Sequence, residues 1–254
     1  MRVRSIVGAV CGAVALSALV VPAAQAEENP ITFSGIAINS GEPLVVGTGI
    51  PHIFNVHYNV NHTNELHSSE AHLYTGSAGE WKGQTDAAGD PSCRELSATV
   101  TRCVQALAID PKKLSDNDLA GTWHVYLEAT DVDYNVAGKG NLYPTTVLRN
   151  SVMARTEVAP EPVGKGETIT VTGELTHADW NTHTYVGEAG KSVELQFRPS
   201  DSLSYSTVKT VETGSGGALK ETLTAETTGA WRWYFASDGT TSGAVAVGDA
   251  VVVE

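Results

Sequence analysis

Positive charge is scarce in this chain: 16 Lys and Arg stand against 29 Asp and Glu in 254 residues, a net charge of −13 at neutral pH. A surface of that sign repels phosphate backbones and anionic bilayers, which argues against nucleic acid and membrane surfaces as partners. Cysteine is scarce too, at three residues, none in a Cys-x-x-Cys pair, so a dithiol redox motif is absent. Sustained 3.6-residue periodicity is almost missing after the first 26 residues, which argues against a helical fold. Catalytic signatures are also missing. There is no Gly-x-Ser-x-Gly, no His-Glu-x-x-His, no phosphate-cradling glycine loop before a helix and no catalytic cysteine motif. Triads assemble in space, so these absences do not exclude an enzyme, but they leave no positive reason to expect one.

What is present begins with an export signal. Arg2 and Arg4 precede an apolar stretch from Ile6 to Val21, and Ala24-Gln25-Ala26 supplies small residues for cleavage before Glu27. The apolar stretch falls short of the roughly 20 residues that span a bilayer. Residues 1–26 therefore read as a secretory signal, with an uncleaved anchor as the alternative and no membrane insertion expected after cleavage. Removal of Arg2 and Arg4 takes the net charge to −15. The bland meaning of that charge is solubility outside the cell, and the sharper one is cation binding. Cys11 leaves with the signal, and export makes Cys93 and Cys103 an expected disulfide. Closing a loop of about ten residues stabilises the fold by roughly 2.5–3 kcal/mol on the chain-entropy account.

Period-2 alternation recurs between Gly, Pro, Asn and Asp clusters and predicts an all-β chain. Phe54, Val56, Tyr58 and Val60 alternate with His57, Asn59 and Asn61, and Trp123, Val125, Leu127 and Ala129 with His124, Tyr126 and Glu128. Further strands are expected at Ile169 to Gly173, at Val193 to Phe197, between Val208 and Val211, and at Trp231, Trp233 and Phe235. A helical turn is expected between Pro111 and Leu119. Trp123, Trp231 and Trp233 are predicted core residues.

An internal repeat divides the chain. Val46-Gly47-Thr48-Gly49 leads into the strand at Phe54 and Gly121-Thr122-Trp123 opens a later one; Val163-Gly164-Lys165-Gly166 and Gly229-Ala230-Trp231 hold the same places in the second half. Pro160 and Pro162 suit a stiff junction or an edge. The expectation is two tandem immunoglobulin-like antiparallel β-sandwiches, 27–151 and 152–254. A single closed barrel, the runner-up, leaves the repeat unexplained.

Three groups of residues are candidates for binding. His52, His57, His62, His67 and His72 lie five apart, an odd spacing that alternates faces in a strand, so only a loop pair such as His62 and His67, with Glu65 or Glu70, can meet to hold zinc or copper. Asp131-Val132-Asp133-Tyr134-Asn135 resembles the opening of a calcium loop, but Val136 and Leu142 stand where a helix-loop-helix site needs Gly and Glu. A looser calcium site from Asp131, Asp133 and Asp116 or Asp118 remains as the cofactor alternative; the competing reading is an Asx turn. Trp180, His183 and Tyr185, with His177 nearby, crowd an expected loop, where aromatics either contact a partner or fold over the core. Asn61-His62-Thr63 matches an N-glycosylation acceptor.

Ala159 to Gly166, Val171-Thr172-Gly173-Glu174-Leu175, Gln196-Phe197-Arg198, Val208-Lys209-Thr210-Val211 and Trp231-Arg232-Trp233 resemble a group of secreted actinobacterial proteins with paired immunoglobulin-like domains. Cys93, Cys103 and Leu119-Ala120-Gly121-Thr122-Trp123 are similar to the first domain of that group. The resemblance implies the tandem architecture, brings no catalytic residues, and in some members goes with a calcium-binding label. The expected role is a non-enzymatic binding or structural protein, secreted or cell-wall associated. Its contacts with an extracellular protein or glycan are expected at loops on the sandwich ends.

Overall fold

The computed structural model describes residues 30–77 and 79–254, and the signal expected over 1–26 lies outside them. Ten strands form a first sandwich: β1 (Thr32–Ile38), β2 (Leu44–Val46), β3 (His52–Asn61), β4 (Leu66–Ser77), β5 (Glu80–Gln84), β6 (Asp86–Ala87), β7 (Ser92–Ser97), β8 (Val100–Ile109), β9 (Gly121–Asp131) and β10 (Val136–Arg149). One sheet runs β1-β3-β8-β6, with β7 also on β8, and the other β2-β10-β9-β4-β5. Every pairing is antiparallel except β2 on β10. In immunoglobulin lettering these are A-B-E-D and A′-G-F-C-C′.

Ten more strands form a second sandwich: β11 (Ser151–Met153), β12 (Glu157–Ala159), β13 (Thr168–Asp179), β14 (Thr184–Gly187), β15 (Ser192–Pro199), β16 (Ser206–Glu212), β17 (Ala218–Thr224), β18 (Gly229–Phe235), β19 (Ala244–Val245) and β20 (Asp249–Val251). Here β12-β13-β17 faces β16-β15-β18, with β19 and β20 along β18 and a parallel bridge of Val163 to Val253. The A-B-E and C′-C-F-G order recurs, so the chain is two immunoglobulin-like sandwiches. The two repeated glycine segments each precede strand B, and the two Gly-to-Trp segments each open strand F.

Burial follows the alternation. Phe54, Val56, Tyr58 and Val60 of β3 meet Val125, Leu127 and Ala129 of β9 in the first core, while Val171, Leu195 and Trp233 anchor the second. Trp123 is fully buried and its indole N–H donates to Leu119 O at 2.7 Å, so a large apolar ring enters the core without an orphaned donor. The expected helical turn is two 3-10 turns, Pro111–Lys113 and Asn117–Leu119, capped by the side chains of Asp110 and Asp116. Cys93 of β7 and Cys103 of β8 form a disulfide between directly opposed residues, Cα–Cα 4.1 Å. It lies within one sheet, whereas antibody domains link strands B and F across the two.

Only Asn150 separates β10 of the first sandwich from β11 of the second. The division is not clean in space, because Ala178 at the far end of β13 and Trp180 in the turn just after it are buried in the first core. The Trp180 indole N–H donates to Gly47 O at 3.1 Å, and its backbone N–H to Asn117 Oδ1 at 2.9 Å. Asn117 in turn donates to Asp179 Oδ1, and Asn150 to the Tyr185 hydroxyl. Arg149 exchanges backbone bonds with Thr240 and Ser242. A side chain from the second half thus completes the core of the first. Trp180→Ala is expected to lower stability by about 3–5 kcal/mol in urea unfolding, the usual cost of emptying a buried Trp site, and to weaken the first sandwich although the residue belongs to the second half.

Candidate functional site

The structure disperses the residues that sequence spacing suggested as metal ligands. Asp116 and Asp118 precede β9 and Asp131 ends it, so ten residues at about 3.3 Å each separate them by about 33 Å; the combined calcium set is corrected on that ground. Asp131 is 1% exposed and its oxygens are occupied. Oδ1 accepts from the backbone of Asp133 and Asn135, and Oδ2 from the side chains of Asn135 and Asn64. Asn64 also donates to Asp133 Oδ2. Those bonds, led by the Asn135 side chain, hold the Asp131 carboxyl below its ordinary range. This is a hydrogen-bonded turn.

The histidines also part. His62 is buried with Nε2 at 2.8 Å from Thr101 Oγ1, while His67 is exposed beside the Tyr134 ring, so the pair does not meet. Among the described residues no group of three His, Cys, Asp or Glu is arranged to hold a metal ion. Asn61 spends its amide on Thr32 and Ser34 of β1. Of the two readings of that loop, Trp180 follows folding over the core and is fully buried in the first sandwich; His183 and Tyr185 alone of that trio are exposed.

The concentration of ring and charge lies instead on the flank of the first sandwich. Inward burial of Ala71, Leu73, Val125 and Leu127 turns His72, Tyr74, His124, Tyr126 and Glu128 to the outer face of β4 and β9. β5 adds Trp81, which stacks on Tyr74 at 4.9 Å and meets Tyr126 edge-on at 5.5 Å. His72 lies 5.9 Å from Trp81 and its Nε2 is 3.2 Å from Glu70 Oε1. β10 passes with Gly138 and Gly140, and that pair is required: a Cβ at Gly138 would collide with the Tyr126 hydroxyl, and one at Gly140 would sit 3.0 Å from that of Tyr74. The Tyr126 hydroxyl donates to Glu128 Oε2 at 3.0 Å, and burial together with that carboxylate pushes its pKa up. The result is an open hollow of about 450 Å³ walled by His72, Tyr74, Trp81, Tyr126 and Glu128.

A larger groove of about 670 Å³ adjoins it and shares Glu128. Glu65, Glu70, Asp90 and Glu95 also line it, with Cys93 on one bank and Gln105 below, and neither lining contains Lys or Arg. A cleft lined by charge of one sign focuses potential and concentrates counter-ions of the other. Alternation in the sequence puts His124, Tyr126 and Glu128 on the wet face of their strand, but it does not bring Tyr74, Trp81, Asp90 or Glu95 to them. The available signal was aromatic residues in the solvent register of two strands and the Gly138-Lys139-Gly140 run opposite them.

No protein-family model matches the chain, and no curated protein does. Among solved structures, latent PorU from Porphyromonas gingivalis is 12% identical over 92% of this chain and 21% of its own, TM-score 0.30, so the chain spans about a fifth of that protein. The D00-D0 domain of intimin is 16% identical over 85% and 99%, TM-score 0.29. The amphioxus IgVJ-C2 molecule is 11% identical over 82% and 99%, TM-score 0.30. The immunoglobulin-like assignment rests on strand order, not on these likenesses.

The junction carries the principal titratable group of the interior. His177 is fully buried with Nδ1 at 2.9 Å from Ser151 Oγ, and Nε2 has no partner among the described residues. Burial pushes its pKa below 6.5, Lys191 and Arg149 push it further, and Glu188 and Asp238 oppose them. Burial would raise Asp238 and Asp179, but hydrogen bonds from Lys191 and Thr241, and from Asn117, Asn181 and Thr182, hold both below 3.8. For a base or an acid whose folded pKa is depressed, the unfolded chain binds more protons within the window, so stability falls as pH falls. Melting temperature is expected to hold above pH 6.5, to decline below it through His177 and the part-buried His52, and to decline again below 3.8 through the carboxylates. Scanning calorimetry of His177→Gln is expected to shrink the first decline to the part that His52 contributes and to keep the second.

Proposed function

We propose that this chain is an extracellular, non-enzymatic binding protein whose contact surface is the flank of the first sandwich and whose partner there is cationic. One observation carries the reading: an aromatic hollow and an acidic groove share Glu128, and no Lys or Arg lines either. Ring faces and carboxylates both attract cations. A Lys or Arg over Trp or Tyr gains about 0.5–2 kcal/mol, and complementary charge speeds encounter and suppresses wrong partners. The Cys93–Cys103 disulfide supports an oxidising location outside the cytosol. The flank replaces the sandwich-end loops as the proposed contact, since Trp180 is taken up by the core.

Binding of deca-lysine to the full chain, followed by tryptophan fluorescence, tests this. Affinity is expected to fall at least about tenfold between 50 and 300 mM salt, as screening requires. Trp81→Ala and Glu128→Gln are each expected to weaken it about three- to tenfold, or roughly 0.7–1.4 kcal/mol. Absence of deca-lysine binding, or salt-insensitive binding of a neutral oligosaccharide in its place, overturns the reading.

A further inference from the structure

The groove has an open backbone edge. β5 joins β4 only over Tyr74–Ser77, and Thr85 extends that side by one step, its N–H donating to Leu73 O and its Oγ1 accepting from Leu73 N. One step further, Ala71 N donates to the Gln105 side-chain Oε1 at 2.6 Å. These bonds show that the odd-numbered residues of β4 direct their backbone groups away from β9. Alternation along an antiparallel strand then puts Ser69 N–H and the carbonyls of Ser69 and Ala71 on the same edge, where no strand pairs with them among the described residues. Across the groove β7 pairs, among the described residues, with β8 alone, so its outer edge is unpaired there as well.

Gln105 adds a hydrogen-bond donor to the groove. It is 2% exposed, it lines the groove, and its only hydrogen bond uses Oε1. The two hydrogens of Nε2 have no partner among the described residues. The amide opens on the groove, where a carbonyl laid along the β4 edge would accept from it.

We propose that an extended Lys- or Arg-rich polypeptide segment binds in this groove as an added strand on the free edge of β4. Open edges are usually blunted by lysine, proline or a bulge. Here the bulge between Leu66 and Ser68 limits pairing to the short stretch beyond it, and the rim carries carboxylates in place of lysine. An added strand would place its backbone against Ser69 and Ala71, while side chains of one parity reach Glu65, Glu70, Asp90, Glu95 and Glu128. Main-chain pairing then supplies direction and register, and charge selects the sequence.

The proposal rests on the cationic-partner reading above, and the test separates the two. The probe is a decapeptide of alternating Lys and Thr, compared with the same peptide N-methylated at alternate backbone amides, which keeps the charge and removes the pairing edge. Methylation is expected to weaken binding to the full chain at least tenfold, and the parent peptide to slow hydrogen exchange at the Ser69 amide at least tenfold. If both peptides bind equally, both lose affinity in salt and Ser69 exchange is unchanged, strand addition is overturned while the cationic surface stands. If neither peptide binds, both proposals fall.

Discussion

The two-residue period of an extended chain is the constraint on which the rest depends. Side chains alternate strictly across a strand, so fixing one face fixes the other. Burial of Ala71 and Leu73 on β4 and of Val125 and Leu127 on β9 sets the register of both strands against the opposing sheet. Each of these side chains contributes on the order of 1–3 kcal/mol when buried, Ala71 least. Slipping either strand by one residue would exchange that set for His72, Tyr74, His124 and Tyr126. The outer face is therefore held in place by the core behind it and needs no further device of its own, apart from glycine on β10 to make room for two tyrosine rings.

The junction applies the same logic across the two halves. Trp180 closes the first core from the second half, with its indole and backbone donors both satisfied by first-half acceptors. A residue that large cannot leave without opening a cavity, so the first sandwich is complete only when β13 is folded. Tandem sandwiches joined by a bare linker would move independently. Here a buried ring, a Tyr185–Asn150 bond and backbone bonds from Arg149 tie them together.

Alternation makes the strands at Phe54, Trp123, Ile169 and Trp231 legible from sequence, and the two glycine repeats make the duplicated topology legible. The destination of Trp180 is not, because it depends on a contact with Gly47, 133 residues away. The flank is hidden for a related reason: Tyr74, Trp81 and Tyr126 come from three strands, and only the pairing register brings the rings together. The evenly spaced histidines and the Asp131 triplet mislead in the opposite direction. Linear regularity is no guide to proximity once a turn falls between the members, and Asp next to Asn is chosen at Asp131 for its own backbone bonds.

An acidic surface by itself explains only solubility, so the carboxylates of the flank must be distinguished from the rest. Asp131, Asp179 and Asp238 are the contrast. Each stands at a turn with its oxygens filled by backbone and side-chain donors, and each is spent on holding its loop. The groove carboxylates behave differently. Glu70 and Glu128 meet only His72 and Tyr126, which leave their charge uncompensated unless His72 is protonated, and the side chains of Glu65, Asp90 and Glu95 have no hydrogen-bond or ion-pair partner among the described residues. Concentrating unspent charge beside an unpaired strand edge is unfavourable for the isolated chain. Both deficits are relieved by the same kind of occupant, an extended cationic polypeptide.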